Sequence, residues 1–96
     1  MDIVDIQKKI NPIFKQQGII KASVFGSVAR GEDTGASDVD MLVELQRPYG
    51  LARFVALKRQ LESVLSKPVD IIEYGSIKPA LEKNILKDAI LIYEQR

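Results

Sequence analysis

The sequence contains no cysteine, no histidine and no tryptophan among its 96 residues. Without cysteine, the chain has no disulfide framework and offers no thiolate to a metal ion. Without histidine, it lacks the side chain that most often acts as a general base or zinc ligand near neutral pH. Acid–base or metal chemistry in this chain must therefore depend on Asp, Glu, Lys or Tyr.

Long apolar runs and a large excess of one charge are also missing. No segment reaches the roughly 20 apolar residues of a membrane-spanning helix, and the N-terminus lacks a signal-peptide pattern. The 14 basic and 13 acidic residues leave a net charge of only +1, whereas proteins that bind long nucleic acids normally carry a basic excess. We therefore expect one cytoplasmic domain, residues 1–96, without membrane attachment or extended nucleic-acid binding.

The hydrophobic pattern predicts alternating helices and strands. A first helix begins after Asp2, is interrupted at Asn11-Pro12 and ends at Gly18. Two later helices are predicted, at 51–66 and from about 78 to 87, the last one with Ser76 as its N-cap. Short apolar runs predict strands at 19–25, 38–45, 69–74 and 89–94.

The connections between the strands indicate the fold. The segment between the first two strands is short and polar, which favours an antiparallel pair, and a full helix between the second and third favours a right-handed parallel crossover. We expect an α/β (α+β) domain with a mixed sheet of three or four strands and helices mainly against one face. The helical residues expected to face inward are Leu51, Phe54, Val55, Leu57, Leu61, Val64, Leu65, Leu81 and Ile85.

The chemistry is concentrated in residues 24–44, which read VFGSVARGEDTGASDVDMLVE. A strand breaks at Gly26-Ser27, where backbone N–H groups and the Ser27 hydroxyl can bind an anion. The next strand opens with Asp38 and Asp40, which point to one side of the sheet roughly 6.5–7 Å apart. Two such carboxylates repel each other unless a divalent cation lies between them, and oxygen ligands suit Mg²⁺ or Mn²⁺.

Each of these residues also has a purely structural interpretation. Ser27 can be an ordinary N-cap after a strand, and the two aspartates can be a strand cap with an ion pair. Arg30, one turn after Ser27, can contact phosphate or pair with Glu32 or Asp33. Ser37 can bond back to its own turn or help to orient Asp38, and with Gly26, Ser27 and Arg30 it completes the set of candidate nucleotide-binding residues.

A third acidic residue, Asp70, lies near the start of an apolar strand. A carboxylate in a buried strand needs a partner, and parallel pairing with the second strand would place Asp70 beside Asp38 and Asp40. The alternative is a salt bridge, for example to Lys67. Glu44 has the same strand parity as Asp40 but lies farther along, so it is a weaker candidate ligand.

Gly-Ser, ten residues, then Asp-x-Asp resembles the signature of the DNA polymerase beta-like nucleotidyltransferase superfamily, and the surrounding residues resemble its minimal nucleotidyltransferase branch. The resemblance covers nearly the whole chain. It implies that Gly26 and Ser27 hold the phosphates of a nucleoside triphosphate, with ATP as the expected substrate. It also implies that Asp38, Asp40 and Asp70 bind two Mg²⁺ ions as the catalytic set, Asp70 being the third carboxylate.

The same resemblance implies transfer of AMP from ATP to a hydroxyl group, with release of pyrophosphate. Because the chain has no room for a separate acceptor domain, another protein is expected to complete the acceptor site. Minimal nucleotidyltransferases resemble antitoxins that adenylylate a tyrosine of a HEPN-family ribonuclease toxin. Two alternatives stay open: an antitoxin that acts by binding alone, and a small-molecule nucleotidyltransferase of the antibiotic-modifying kind whose homodimer forms the acceptor cleft.

Overall fold

The computed structural model describes residues 2–95, and in that range four α-helices alternate with four strands. A single 3₁₀ turn, Tyr74–Ser76, follows the third strand. In chain order the elements are α1 (Ile3–Gln16), β1 (Ile19–Phe25), α2 (Gly26–Ala29), β2 (Val39–Leu45), α3 (Leu51–Leu65), β3 (Val69–Glu73), α4 (Pro79–Asp88) and β4 (Ile90–Glu94).

The strands form one mixed sheet in the order β3-β2-β1-β4. Strand β1 runs antiparallel to both β2 and β4, and β2 runs parallel to β3. These pairings confirm the α/β prediction of a mixed sheet, including the parallel crossover through α3. The sheet therefore places the C-terminal end of β1 beside the N-terminal ends of β2 and β3.

One face of this sheet carries the core. On β1 and β2 it presents the paired residues Val24 and Met41 together with Ala22 and Val43, all of them fully buried. Helices α1 and α3 pack there, each with one apolar stripe. The stripes consist of Ile6, Ile10 and Phe14 on α1 and of Leu57, Leu61 and Leu65 on α3. The prediction that helices lie mainly against one face is confirmed.

The opposite face is more open. It carries Asp40, Leu42 and Glu44 of β2, of which only Leu42 is fully buried. The Tyr74 side chain reaches from the end of β3 to the Ser23 hydroxyl on β1, so it crosses β2 and covers that face beside Leu42. This leaves the end of the sheet that holds Asp40 accessible.

Helix α1 does not break at Pro12. The prediction of a restart at Asn11-Pro12 is wrong, because the helix continues through both residues to Gln16. Proline removes one helical hydrogen bond. The burial of Ile10 before it and Phe14 after it holds the helix against the sheet and offsets that loss. The Asp2 side chain caps the first turn as expected, accepting from the Val4 amide at 3.0 Å.

Two predictions about the later helices are also wrong. Leu51, Val55 and Val64 on α3 are exposed, Leu51 at 78% of its surface, because they lie outside the stripe of Leu57, Leu61 and Leu65 that is buried in the core. Helix α4 has no fully buried residue, so Leu81 stays 50% exposed where burial was expected.

The start of α4 differs from the prediction as well. Ser76 belongs to the 3₁₀ turn, and Lys78 occupies the N-cap position without a side-chain bond, with Pro79 in the first turn. No helix in residues 2–95 is long and apolar enough to cross a membrane.

Candidate active site

The strand register brings two of the three predicted aspartates together. Asp40 on β2 is the direct parallel partner of Asp70 on β3, and on its other side it pairs with Phe25 of β1. Neighbouring strands are about 4.8 Å apart, and paired residues project from the same face. Asp40 and Asp70 therefore lie side by side on the open face, as the sequence predicted for parallel pairing.

Asp38 lies one residue before β2, which begins at Val39 rather than at Asp38. The Val39 amide donates to the Pro68 carbonyl at 3.0 Å, so the start of β2 is held against the residue that precedes β3. Asp38 and Asp70 are consequently both positioned where these parallel strands begin. Asp70 is exposed, in contrast to the buried strand position that the sequence suggested.

Gly26 joins this edge of the sheet to α2. Its φ of +73° is a backbone conformation that favours glycine, and a Cβ on this residue would overlap Oδ2 of Asp40. Glycine is required here for two reasons, the turn itself and the close approach of a carboxylate. The Gly-Ser turn and the Asp-x-Asp strand therefore meet in space, although ten residues separate them in sequence.

Ser27 lies in the first turn of the four-residue helix α2. Amides in the first turn of a helix have no acceptor within the helix, so those of Ser27 and Val28 remain available for other partners. The Ser27 carbonyl accepts from the Glu32 amide at 2.9 Å, which folds the polar loop back over the turn. The structure thus presents Ser27 beside the Gly26–Asp40 contact.

The carboxylates influence each other electrostatically. Partial burial raises the pKa of Asp40 above its ordinary value of 3.8, and repulsion from Asp70 and then Asp38 raises it further. The Arg30 guanidinium opposes these effects and lowers the pKa of Asp40. The three predicted aspartates and Arg30 therefore belong to one electrostatic neighbourhood.

In residues 2–95 no group of three Asp, Glu, His or Cys side chains is close enough to hold a metal ion as arranged. The donor chemistry nevertheless fits a divalent cation, since Asp38, Asp40 and Asp70 supply carboxylate oxygens. Burial and then repulsion from Asp70 and Asp38 raise the pKa of Asp40, and a cation at this edge would offset that repulsion. The side chains present suit Mg²⁺ or Mn²⁺ in kind and in charge.

Arg30 is held by two carboxylates. Its Nε donates to Glu32 Oε1 and its Nη1 donates to Asp88 Oδ2 at 2.7 Å. The pair with Glu32 is one of the two roles that the sequence allowed for this arginine. The pair with Asp88 was not predicted. The sequence did contain a signal for this pair. A carboxylate at the C-terminal end of a helix is repelled by the helix dipole, so its presence there suggests a cationic partner on another element.

Ser37 bonds to its own turn, the first of the two roles that the sequence allowed. Its Oγ accepts from the Thr34 amide at 2.8 Å, and its amide donates to the Thr34 carbonyl at 3.0 Å. Lys67 also donates to that carbonyl, at 3.1 Å. In residues 2–95 no ion pair between Lys67 and Asp70 is formed. Lys67 therefore helps to hold in place the loop that leads into Asp38.

A Gly-Ser turn that meets paired carboxylates on the edge of a mixed sheet defines a nucleotidyltransferase domain. The chain belongs to the polymerase beta nucleotidyltransferase family, whose model matches residues 8–96. It is 46% identical over 90 residues to a Methanocaldococcus jannaschii protein named as a protein adenylyltransferase, covering 94% of this chain and 97% of that one. It is 35% identical over 75 residues to the protein adenylyltransferase MntA of Thermococcus cleftensis, covering 78% and 76% of the two chains.

Solved structures show the same fold. One described as a minimal nucleotidyltransferase superposes with a TM-score of 0.79 at 33% identity, covering 94% of this chain and 95% of that one. A toxin–antitoxin complex with AMP-PNP gives 0.78 at 20% identity, covering 94% and 74%. The Shewanella oneidensis complex of a tri-AMPylated HEPN toxin with its MNT antitoxin gives 0.73 at 17% identity, covering 98% and 74%.

Proposed function

We propose that this nucleotidyltransferase transfers AMP from ATP to the hydroxyl of a tyrosine on a HEPN-family protein and thereby acts as an antitoxin. The observation that carries the proposal is the meeting of Gly26 with Asp40 and of Asp40 with Asp70 at one edge of the sheet. The names of the relatives from two archaea support protein adenylylation as the activity.

The reaction requires two kinds of group at this edge. The acceptor oxygen attacks the α-phosphorus of ATP and forms a new P–O bond, while the bond from the α-phosphorus to the bridging oxygen breaks and pyrophosphate leaves. The hydroxyl proton must pass to a base, and Asp70, an exposed carboxylate beside Asp40, is our candidate. The leaving pyrophosphate must meet hydrogen-bond donors.

Gly26, Ser27 and Arg30 are our candidates for those donors. Gly26 lets the backbone turn closely past the site, and the Ser27 amide and hydroxyl then face the phosphates. Arg30 adds a positive charge close enough to lower the pKa of Asp40. Ser37 contributes indirectly, because its bonds to Thr34 hold the loop that leads into Asp38.

Asp38, Asp40 and Asp70 would hold the divalent cations. Bound Mg²⁺ supplies charge neutralisation of the triphosphate and lowers the pKa of a coordinated hydroxyl. The aspartates themselves keep negative charge fixed on one edge of the sheet, where burial and then repulsion from Asp70 and Asp38 raise the pKa of Asp40. A bound cation would remove this repulsion.

Solved structures with the same fold support the choice of a protein as the acceptor. The Shewanella oneidensis complex contains an AMPylated HEPN toxin together with its MNT antitoxin, and a toxin–antitoxin complex of the same fold contains AMP-PNP. The net charge of only +1 also favours a protein acceptor over a long nucleic acid, which normally requires a basic excess.

A labelling assay tests the proposal. The chain is incubated with ATP labelled at the α-phosphate, with Mg²⁺, and with or without a HEPN-family protein as the candidate partner. We expect label on a tyrosine of the partner with the wild type, and at least a 100-fold lower rate with Asp40→Asn, since loss of a metal-binding carboxylate removes transition-state stabilisation of about 3 kcal/mol or more.

Glu44→Gln is the matched control. Glu44 lies on the same strand and face as Asp40, four residues farther from the site, and it is exposed. This variant should label the partner at the wild-type rate. No label from the wild type, with the partner still bound and silenced by Asp40→Asn, would overturn the enzymatic proposal in favour of inhibition by binding. Label on a small alcohol without any partner would instead indicate an antibiotic-type enzyme.

A further inference from the structure

The guanidinium of Arg30 is only partly used within the protein. Among residues 2–95 its side chain donates two hydrogen bonds, from Nε to Glu32 and from Nη1 to Asp88. A guanidinium carries five N–H groups in a fixed planar fork. Three N–H groups are therefore left for another acceptor, and the orientation of the whole fork depends on the two carboxylates that hold it.

The two carboxylates differ in how firmly they can hold Arg30. Glu32 is two residues away in the adjoining loop, and its side chain is 63% exposed. Asp88 is 58 positions away, on a different element, and its side chain is 25% exposed. A less exposed partner loses less of its attraction to solvent screening. Glu32 thus ties Arg30 only to its own loop, whereas Asp88 ties it to a separate element, α4.

The position of Asp88 is unfavourable for its own helix. It is the last residue of α4, where the partial negative charge of the helix dipole repels a carboxylate. Asp88 also lies next to the strand that pairs with Val24 through Ile90. Helix stability therefore does not explain an aspartate at this position, whereas its bond to Arg30 does.

We infer that Asp88 is a positioning residue, which orients Arg30 so that the remaining N–H groups of its guanidinium face the triphosphate. This inference rests on the proposed function, in which Arg30 binds phosphate. The proximity of Arg30 to the site is independent of that assumption, because its amide donates to the Gly26 carbonyl at 3.1 Å and Gly26 lies against Asp40. Asp88 thereby links α4 to the nucleotide site at the opposite end of the chain.

The test measures binding of the Mg²⁺ complex of AMP-PNP by calorimetry, together with KM for ATP and kcat. Asp88→Asn should weaken binding and raise KM by about five- to tenfold, the effect of one charge-assisted hydrogen bond, while kcat changes less than about twofold. Asp88→Glu, which keeps the charge, should recover most of the affinity.

A double-mutant cycle shows whether Asp88 acts through Arg30. In the Arg30→Ala background, Asp88→Asn should cause no further loss of affinity. An equal loss in both backgrounds would overturn the inference, since Asp88 would then affect binding independently of the guanidinium. Glu82→Gln is the control, because it removes one carboxylate from the first turn of the same helix. It should leave AMP-PNP affinity unchanged.

The two proposals can fail separately. If the wild type binds no Mg²⁺·AMP-PNP, the proposed function is wrong. If the wild type binds it and Asp88→Asn binds it equally well, the proposed function stands and the positioning role is wrong. Thermal melts of every variant separate loss of folding from loss of affinity.

Discussion

At the scale of single residues, the site depends on one glycine and the carboxylate that approaches it. Gly26 has a positive φ and lies against Asp40, so neither the turn nor the carboxylate tolerates a side chain there. Gly31 also has a positive φ but has open space around its Cβ position, and Gly35 has open space without the unusual φ. Alanine substitutions at these three glycines therefore separate the steric effect of an added Cβ from the conformational effect of a positive φ.

Gly26→Ala should abolish most of the activity. The new methyl group must displace Asp40, and the left-handed backbone costs a further 1–2 kcal/mol or so. We expect at least about a 100-fold fall in kcat/KM, as for other displaced catalytic groups. Gly31→Ala should lower stability by a similar backbone cost but retain AMP-PNP binding, and Gly35→Ala should change neither. Equal activity of all three variants would contradict the role assigned to Gly26.

At the scale of elements, β2 serves the core and the site at once. Its alternate residues Val39, Met41 and Val43 are buried under α1 and α3, while Asp40 and Glu44 face the open side. Because a strand alternates faces at every residue, a shift of register by one position would bury the carboxylates. The packing of the core therefore fixes the direction in which Asp40 points.

The end of α3 offers a test at this scale. Ser66 follows the helix with φ +54°, a left-handed cap that glycine adopts without strain. Ser66→Gly should raise the free energy of unfolding by about 1 kcal/mol, a gain of roughly 4–8 °C in Tm for a domain of this size. Urea and thermal melts measure the change. Ser66→Ala, which keeps a Cβ, should give no such gain, and neither variant should alter AMP-PNP affinity.

At the scale of the whole molecule, the fold concentrates negative charge at one place. Asp40 and Asp70 come from strands joined by α3, and Asp38 comes from the preceding loop. Partial burial and then repulsion from Asp70 and Asp38 raise the pKa of Asp40. An acid with a raised pKa in the folded state destabilises that state once it ionises, so the site reduces stability in the absence of a cation.

Asp40→Asn should therefore stabilise the protein while it abolishes activity. Below about pH 3.8 Asp40 is protonated in both states and the penalty is absent; stability is then lost as pH rises through its higher folded pKa. At pH 7 in EDTA we expect a Tm gain of about 2–4 °C, from roughly 0.5 kcal/mol of relieved repulsion.

Two comparisons complete this measurement. The gain in Tm should disappear toward pH 3 and should shrink when Mg²⁺ stabilises the wild type. Glu44→Gln should give no gain at pH 7, because Glu44 is exposed and its register partner on β1 is the cationic Lys21 rather than another carboxylate. A variant at Asp40 that is less stable than the wild type at pH 7 would show that the carboxylate instead supports the fold.

The sequence alone determined the strands, the mixed sheet and the candidate site at Gly26, Ser27, Asp38 and Asp40. These features are local, because apolar periodicity and turn chemistry act over a few residues. The continuity of α1 through Pro12 was not predictable in this way, since burial on both sides of the proline outweighs its local preference.

Only the tertiary structure decided which distant residues meet. The contact between Gly26 and Asp40, the bond from Asp88 to Arg30 and the exposure of Leu81 all depend on how elements pack. Packing energy comes from surfaces shared between elements that are far apart in the chain, and a local pattern does not encode which surfaces those are. The sequence thus specified the chemical groups of the site, and the packing of the sheet and helices specified their arrangement.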